Sequence, residues 1–593
     1  MTEKMAKPKI MSIISILIVI ISAASCAHVV TKTRLSFGPE ETKWVAKTMK
    51  KMTLEEKIGQ MVAWQYSGNF VNKDSDYLKD LEFLVVSHKI GGLILFGGDV
   101  YETAHLTNYL QSKSQIPLLI ASDFERGTGN QITGATLFPP LMAIGAVNSE
   151  DIAYQMGKIT ALEGRAMGIH MAYAPVVDVN INPNNPIINT RSIGEDPEQV
   201  GRLAIAFIRG CQENGLIATA KHFPGHGDTD LDSHSLLPTI NADRSRLNKV
   251  ELYPFKRAID AGVQAIMTAH LYVPALDATP NLPATLSPLI LTELLRKELG
   301  FKGLIVTDAM TMGGITNSFT PQEAGLKAIL AGVDMLLLPP EPANVINFLI
   351  QAARSGQVSE ARINESVKRI LEAKARLGLN QNKLVNIDSL PLKVAPKPHL
   401  EQAILTFESA ATLVKNEGDV LPLADSGKKI AIFSLSSDPG DYYAGRAFCD
   451  AVKKRCPEAM NFYADADTGQ ENLDEAAARA SGAEVFVFAL FSSLRAGKGN
   501  VDLESKHIQL VKKFAEGPAP VVVISFGSPY FLRRFPEVDS YLCLYRNTPQ
   551  TQEIAAKALF GEIDLKGRLP VSLPGLYPLG HGIQLPKKAG VND

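Results

Sequence analysis

Short, uninterrupted apolar runs recur between about Leu54 and Leu379, separated by longer stretches with helical periodicity. The runs are Gly91–Phe96, Pro117–Asp123, Tyr173–Val179, Ala265–His270, Gly303–Asp308 and Met335–Pro339. A run apolar at every position, rather than at alternate ones, suits a strand covered on both faces, as in a parallel sheet. The stretches Glu198–Asn214 and Asn248–Ala261 predict amphipathic helices between them. Repeated strand–helix units over this length predict an α/β fold with an N-terminal (β/α)8 TIM-like barrel. The segment from Asn380 to Lys397, with Pro391 and Pro396, reads as a linker, after which the alternation resumes. The runs Lys429–Phe433, Glu484–Leu490, Val521–Ser525 and Tyr541–Tyr545 alternate with helical segments at Gly445–Lys454, Ser505–Ala515 and Thr551–Leu559. They predict a smaller α/β layered domain, an αβα sandwich. The expected division is a signal peptide at 1–26, a tether at 27–40, the barrel at 41–380, a linker at 381–400 and the second domain at 401–593.

The first residues read as an address. Lys4, Lys7 and Lys9 precede an apolar run from Ile10 to Ile21, followed by small residues ending at Cys26. The pattern reads as a secretory signal, and the small residues before Cys26 resemble a bacterial lipoprotein signal, in which that cysteine is lipidated; the alternative is an ordinary signal or an uncleaved anchor. The catalytic part is then expected in the bacterial cell envelope, membrane-anchored or secreted. The other cysteines, Cys211, Cys449, Cys456 and Cys543, form no CxxC pair, so a structural zinc site has no support. Cys449 and Cys456 are near enough in sequence for a disulfide, or they are two buried thiols.

Composition narrows the functional class. In 593 residues, 60 Lys and Arg face 62 Asp and Glu, a net charge of −2. Without a basic excess to neutralise phosphates, a general nucleic-acid binder is excluded.

Several apolar runs end in or near a polar residue: Asp123, Asp178, His270 and Asp308. In a barrel, chemistry gathers at strand C-termini, so these residues mark the mouth. The densest cluster runs from Lys221 to His234 (KHFPGHGDTDLDSH) and packs three histidines, three aspartates and a lysine into one segment. Burying such a segment requires partners for every ionisable group. Asp232 and His234 are two apart, which in an extended segment points both the same way. A carboxylate that holds an imidazole makes a tunable acid/base near neutral pH. The same residue types also permit metal ligation or an unreactive turn.

Lys221, His222, Phe223, Pro224, Gly225, His226, Gly227, Asp232 and His234 together resemble the signature of family 3 glycoside hydrolases, in their β-N-acetylglucosaminidase branch. The resemblance extends to both expected domains: Asn189–Pro197 resembles the family's Arg-containing loop, Gly303–Met310 its nucleophile strand and Leu559–Pro570 the ending of its second domain. It implies a retaining mechanism without metal or other cofactor. Asp308 would be the nucleophile, although on its own it also suits a helix N-cap. His234 would be the acid/base, with Asp232 stabilising its charged form. Asp123, Arg191, Lys221 and His222 would bind substrate. Arg191 could instead pair with Glu195 or Asp196, and Asp123 could end a strand in a turn. Asp178 and His270 either line the pocket or hold structure. His226, between glycines, braces the loop, which is expected to move over bound substrate.

One stretch departs from the family pattern. After Asp123 the chain reads Phe124, Glu125, Arg126, Gly127, Thr128, with Gln131 beyond. Thr128 and Gln131 stand where basic residues are expected, and Arg126 replaces a glycine. The implied function is an exo-acting β-N-acetylhexosaminidase releasing terminal N-acetylglucosamine from peptidoglycan- or chitin-derived glycans. The alternatives are a phosphorylase of the same substrates, a β-glucosidase, or a carbohydrate-binding lipoprotein without catalysis. Lys498, in the loop Arg495–Val501, reads as part of a solvated loop, and the second domain as a scaffold or specificity partner.

Overall fold

The computed structural model describes residues 37–423, 428–441, 443–492 and 502–588. The expected signal segment with Cys26, and the loop carrying Lys498, lie outside the described residues. Among the described residues no helix is long and apolar enough to cross a membrane.

Eight parallel strands form the ring of the first sheet, and a ninth, Ile132–Thr133, pairs with the second of them off the ring: β1 (Val62–Gly68), β2 (Gly92–Asp99), β3 (Leu119–Ser122), β4 (Met171–Ala172), β5 (Ile217–Phe223), β6 (Ala265–Thr268), β7 (Leu304–Val306) and β8 (Leu336–Leu337). They pair in the order β7-β6-β5-β4-β3-β2-β1-β8. The ring closes where Val306 bridges Met335 and where the Asp334 carboxylate takes the Ile305 N–H at 2.9 Å. Asp334 is fully buried and also accepts from Arg369, at 3.0 Å, and Ser366, at 2.7 Å. The result is the barrel that the apolar runs predict.

Two differences from the sequence reading have local causes. The strand lies just before the run Tyr173–Val179: ladder pairing is confined to Met171–Ala172, and the run itself, in which Pro175 has no N–H to donate, adds an isolated bridge from Val176 to Lys221. β1 is not an apolar run: Trp64, Gln65 and Ser67 interrupt it and are less buried than their neighbours.

The expected linker is ordered and packed. Leu390 and Val394 are buried, a helical turn spans Leu390–Lys393, and a helix begins at Lys397 and runs to Ala410. Its prolines include Pro391 and Pro398, which sit in helix first turns, where a missing N–H costs nothing. The Glu163 carboxylate ties this segment to the barrel. It accepts from His399 Nδ1 (2.7 Å), Ala395 N (3.0 Å), Thr128 Oγ1 (2.6 Å), Thr136 Oγ1 (2.6 Å) and Thr136 N (3.0 Å).

The second sheet contains β9 (Thr412–Asn416), β10 (Ile430–Ser436), β11 (Met460–Ala464), β12 (Val485–Phe491), β13 (Val521–Ser525) and β14 (Ser540–Cys543), in the order β9-β14-β13-β12-β10-β11. Only β9 is antiparallel, along β14. Alternate residues feed opposite cores: Phe433, Phe488 and Val523 on one face, Ile432, Val487 and Ile524 on the other. The sequence runs did not reveal β9 or β11; the latter is a half-exposed edge strand without a continuous apolar run. Cys449 and Cys456 are free and buried, so no disulfide joins them.

The two domains meet over polar and apolar contacts. Met142, Ala143 and Ala146 join the core of the second domain. Glu195 N donates to Pro570 O at 3.0 Å, Ser572 Oγ to the Glu195 carboxylate at 2.9 Å, and Asn180 Nδ2 to Tyr530 Oη at 3.0 Å.

Removing the Glu163 carboxylate orphans buried donors and leaves His399 unpaired. Glu163→Ala is expected to destabilise the barrel by about 3–5 kcal/mol, read as a lower melting temperature. An unchanged melting curve would contradict this role.

Candidate active site

A cavity of about 270 Å³ opens at the C-terminal ends of the barrel strands and is lined by Asp123, Arg191, Lys221, His222, His234 and Asp308. Six of the seven candidate site residues therefore share one pocket, and the seventh, Asp232, lies directly behind His234. Consecutive strand residues ordinarily point to opposite faces. Lys221 and His222 both line the pocket because the β5–β6 register shifts between Ala220 and Phe223.

Lys221 organises the charges. Its ammonium, on a side chain only 2% exposed, lies 2.7 Å from Asp123 Oδ1 and 2.7 Å from Glu125 Oε1. Glu125 also receives a bidentate grip from Arg191, at 2.8 and 3.0 Å. Burial alone would raise the Glu125 carboxyl, but the adjoining charges of Arg191 and Lys221 hold it well below the usual carboxylate range. Arg191 thus pairs with Glu125 rather than with Glu195, which serves the domain seam, or Asp196, which caps the helix Pro197–Glu213. Glu125 is the central site residue that the sequence reading did not single out; its place two residues after Asp123 was the available signal.

Behind this layer, the fully buried Asp178 fixes the loop. It accepts from His222 Nδ1 at 2.7 Å, from the His222 backbone at 3.2 Å and from the His226 backbone at 2.7 Å. Arg191 approaches His222 Nε2 at 3.4 Å. Asp178 therefore holds structure beneath the pocket. His270 is also buried, bonded to Thr285 Oγ1 at 2.9 Å and donating to Ala309 O at 3.1 Å. His226 spans the loop from Thr229 Oγ1 (3.1 Å) to Ser233 Oγ (2.8 Å), as a brace would. Burial pushes its imidazole down to about 4. Gly227 permits the close approach of this loop to the segment after β4, since a Cβ there would lie 1.8 Å from Val179 O.

The Asp232 carboxylate receives both the His234 N–H, at 2.9 Å, and His234 Nδ1, at 2.7 Å. This leaves Nε2 of the half-exposed imidazole for the pocket. The loop is docked on the segment after Asp308: Gly313 N donates to His234 O at 2.9 Å and Asn317 Nδ2 to Ser235 O at 2.9 Å. A Cβ on Gly313 would sit 2.5 Å from Ser235 O, so only glycine lets the two segments meet.

Asp308 follows β7 and accepts the Ala309 N–H at 2.8 Å. Burial opposes its ionisation, yet His222, His270, the Ala309 N–H and Lys221 together hold it down at about 2. It is an anion throughout the physiological range. Tyr173 also lines the pocket, and its hydroxyl is pushed well up by burial and the Asp123 charge. Thr128 and Gln131 prove structural: Thr128 bonds Glu163, and Gln131 Oε1 accepts the Gly97 N–H at 3.1 Å. Among the described residues no group of three or more His, Cys, Asp or Glu is arranged to hold a metal ion.

Lys221→Met is expected to leave two facing carboxylates without their cation and to lower stability by about 3–5 kcal/mol. The Glu125 carboxyl, held down in part by Lys221, rises when the cation is lost, so its protonation at lower pH relieves the repulsion. The melting-temperature deficit against the parent should therefore shrink between pH 8 and pH 5; an equal deficit at both would contradict this charge balance.

The comparisons agree with this geometry. Residues 53–373 match the glycosyl hydrolase family 3 N-terminal domain and residues 411–581 its C-terminal domain. Beta-hexosaminidase A of Pseudoalteromonas piscicida is 38% identical over 383 residues, an alignment spanning 59% of this chain and 63% of the relative. A solved structure of a family 3 beta-N-acetylglucosaminidase from Paenibacillus sp. has a TM-score of 0.79 at 31% identity and covers 88% of this chain and 99% of its own. Beta-glucoside phosphorylase BglX, bound to 2FGlc, has a TM-score of 0.82 at 27% identity, covering 91% of this chain and 97% of its own. With both domains matched, each in its proper order, the chain belongs to glycosyl hydrolase family 3.

Proposed function

We propose that the protein is a retaining, exo-acting β-N-acetylhexosaminidase that hydrolyses terminal N-acetylglucosamine from peptidoglycan- or chitin-derived glycans. The observation that carries the reading is the joint placement of an ionised Asp308 and the His234–Asp232 pair on one small pocket. Asp308 attacks the anomeric carbon and forms a glycosyl ester as the glycosidic bond breaks. Protonated His234 gives its Nε2 proton to the departing oxygen. It then takes a proton from water, whose oxygen bonds the anomeric carbon and releases the Asp308 carboxylate. Asp232 keeps the ring oriented through Nδ1. Asp123, the more accessible of the two Lys221-bound carboxylates, accepts from sugar hydroxyls, and Arg191, Lys221 and His222 complete the grip. The names of the similar beta-hexosaminidase and beta-N-acetylglucosaminidase support the choice of sugar. Attachment to the bacterial envelope through a lipidated Cys26 is part of the same proposal.

Phosphorolysis is the second reading. Most retaining glycosidases place two carboxyl groups about 5–5.5 Å apart; a histidine in place of one removes a negative charge that would repel an anionic acceptor. The likeness to a solved phosphorylase favours the same direction.

His234→Ala is expected to lower kcat on an unactivated N-acetylglucosaminide by about 10²–10⁴-fold. The loss should be smaller on an aryl glycoside whose leaving group needs no proton. Because the Asp308 carboxyl is held down at about 2, it is ionised from pH 4 upward and adds no limb to the kcat/KM profile between pH 4 and pH 9. Parent-like kcat in His234→Ala on both substrates would refute the assignment.

A further inference from the structure

We propose that Tyr173 is a specificity-determining residue of the sugar pocket, whose hydroxyl, on the same wall as Asp123, recognises the free 4-hydroxyl of the terminal sugar. The assignment rests on the glycosidase reading above, which places the anomeric carbon at Asp308. Tyr173 lines the same cavity as Asp123, Lys221, His234 and Asp308, and it is only 2% exposed. Its backbone is held from both sides. Tyr173 N donates to Ser122 O at 2.9 Å, and the carbonyl of the next residue, Ala174, accepts from Thr219 N at 2.8 Å. β3 and β4 pair in register through Ser122 and Ala172. Asp123 and Tyr173 are the residues that follow this pair, one on each chain, where both strands reach the pocket.

Among the described residues the Tyr173 hydroxyl has no hydrogen-bond partner, and this sets it apart. The other buried tyrosines all have one: Tyr66 Oη meets Thr107 Oγ1 at 2.8 Å, Tyr530 Oη the Asn180 amide at 3.0 Å, Tyr541 Oη Pro529 O at 3.3 Å and Tyr545 Oη Thr412 Oγ1 at 2.8 Å. A phenol taken out of water ordinarily finds a partner, because leaving its O–H unmade costs free energy. The oxygen of Tyr173 is not sealed in, unlike unpartnered buried atoms such as Asn180 Oδ1. The open space that the residue borders is the sugar cavity. Its missing partner is therefore one that the cavity would hold. Burial and the Asp123 charge push the phenol well up, so it keeps its proton at working pH and is a donor.

Strand order decides which hydroxyl it meets. Asp308 follows β7, and the order β7-β6-β5-β4-β3 puts Asp123 halfway round the ring from it, with Tyr173 one strand nearer. In a pyranose, C1 and C4 are opposite corners. A sugar lying across the mouth with C1 at Asp308 therefore turns C4 to the wall made by Asp123 and Tyr173. There the 4-hydroxyl donates to the Asp123 carboxylate and accepts from Tyr173 Oη, which uses both of its hydrogen-bonding capacities. A site built to bond a hydroxyl rejects an analogue that lacks it, because its own polar groups are then left unpaired. A glycan continued at O4 has no hydrogen there to give Asp123, so the same pair selects the chain end.

The test compares the full-length parent with Tyr173→Phe, which removes one oxygen and keeps the ring. The substrates are an aryl N-acetylglucosaminide and its 4-deoxy and 6-deoxy analogues. In Tyr173→Phe, kcat/KM on the N-acetylglucosaminide should fall about 3- to 10-fold, and the 6-deoxy analogue should suffer the same loss. The 4-deoxy analogue, already a poor substrate of the parent, should lose nothing more. A purely structural effect would lower all three alike. Equal losses on the 4-hydroxy and 4-deoxy substrates, a loss abolished by removing the 6-hydroxyl instead, or parent-like kcat/KM on the N-acetylglucosaminide would each overturn the assignment. If the parent cleaves none of the glycosides, the glycosidase reading falls by itself, and calorimetry with N-acetylglucosamine and its 4-deoxy analogue decides the contact. Weaker binding of the 4-hydroxy sugar alone in Tyr173→Phe supports it; no binding to the parent, or an equal change for both sugars, overturns it.

Discussion

The buried ammonium of Lys221 is the constraint around which the site is built. A lysine removed from water survives as a cation only among anions. Here Asp123 and Glu125 supply two, at equal distance. Glu125 then needs a second cation and recruits Arg191 from a loop 66 residues further on. The layer becomes a closed set of charges in which Asp123, half-exposed at the edge, is the carboxylate available to a ligand. Lys221, with His222, His270 and the Ala309 N–H, also keeps Asp308 ionised despite its enclosure. The charge balance and the ionised state of the proposed nucleophile therefore share Lys221.

The barrel turns that balance into geometry. Strand ends deliver Asp123, Lys221, His222 and Asp308 to one mouth, while Asp178 and Glu163 act from behind as buried acceptors. Glu163 couples the turn at Thr128–Thr136 to the segment joining the domains, so the support of the pocket extends into that segment. His234, the proposed acid/base, comes from a loop rather than a strand. It is held over the mouth by its own carboxylate and by the residues after Asp308, which suits a group that serves two successive proton transfers.

The sequence made the site legible wherever the chemistry is local. Asp232 and His234 sit two residues apart, and their contact follows from that spacing. The KHFPGHG stretch announced its own importance by crowding ionisable residues that no core would take unpaired. The barrel was legible because its strands are apolar on both faces. What stayed hidden depends on contacts between distant residues: the Glu125–Arg191 grip, the five donors around Glu163, and the free state of Cys449 and Cys456. Strand β1 escaped notice because its polar interruptions look like surface, and the strand expected at Tyr173–Val179 lies just before that run, in which Pro175 has no N–H to donate. The prolines of the expected linker turned out to punctuate helices, a distinction made by packing on Leu390 and Val394 rather than by composition.

The central claim is that Asp308 captures the sugar as a covalent ester. Mass spectrometry of the intact protein, incubated with a slow 2-fluoro glycosyl substrate and then digested, tests it most directly. The account predicts one added sugar, carried by the peptide containing Asp308 and lost on dilution as activity returns. A sugar attached to a different residue, or steady turnover of that substrate with no adduct at any time, would contradict it.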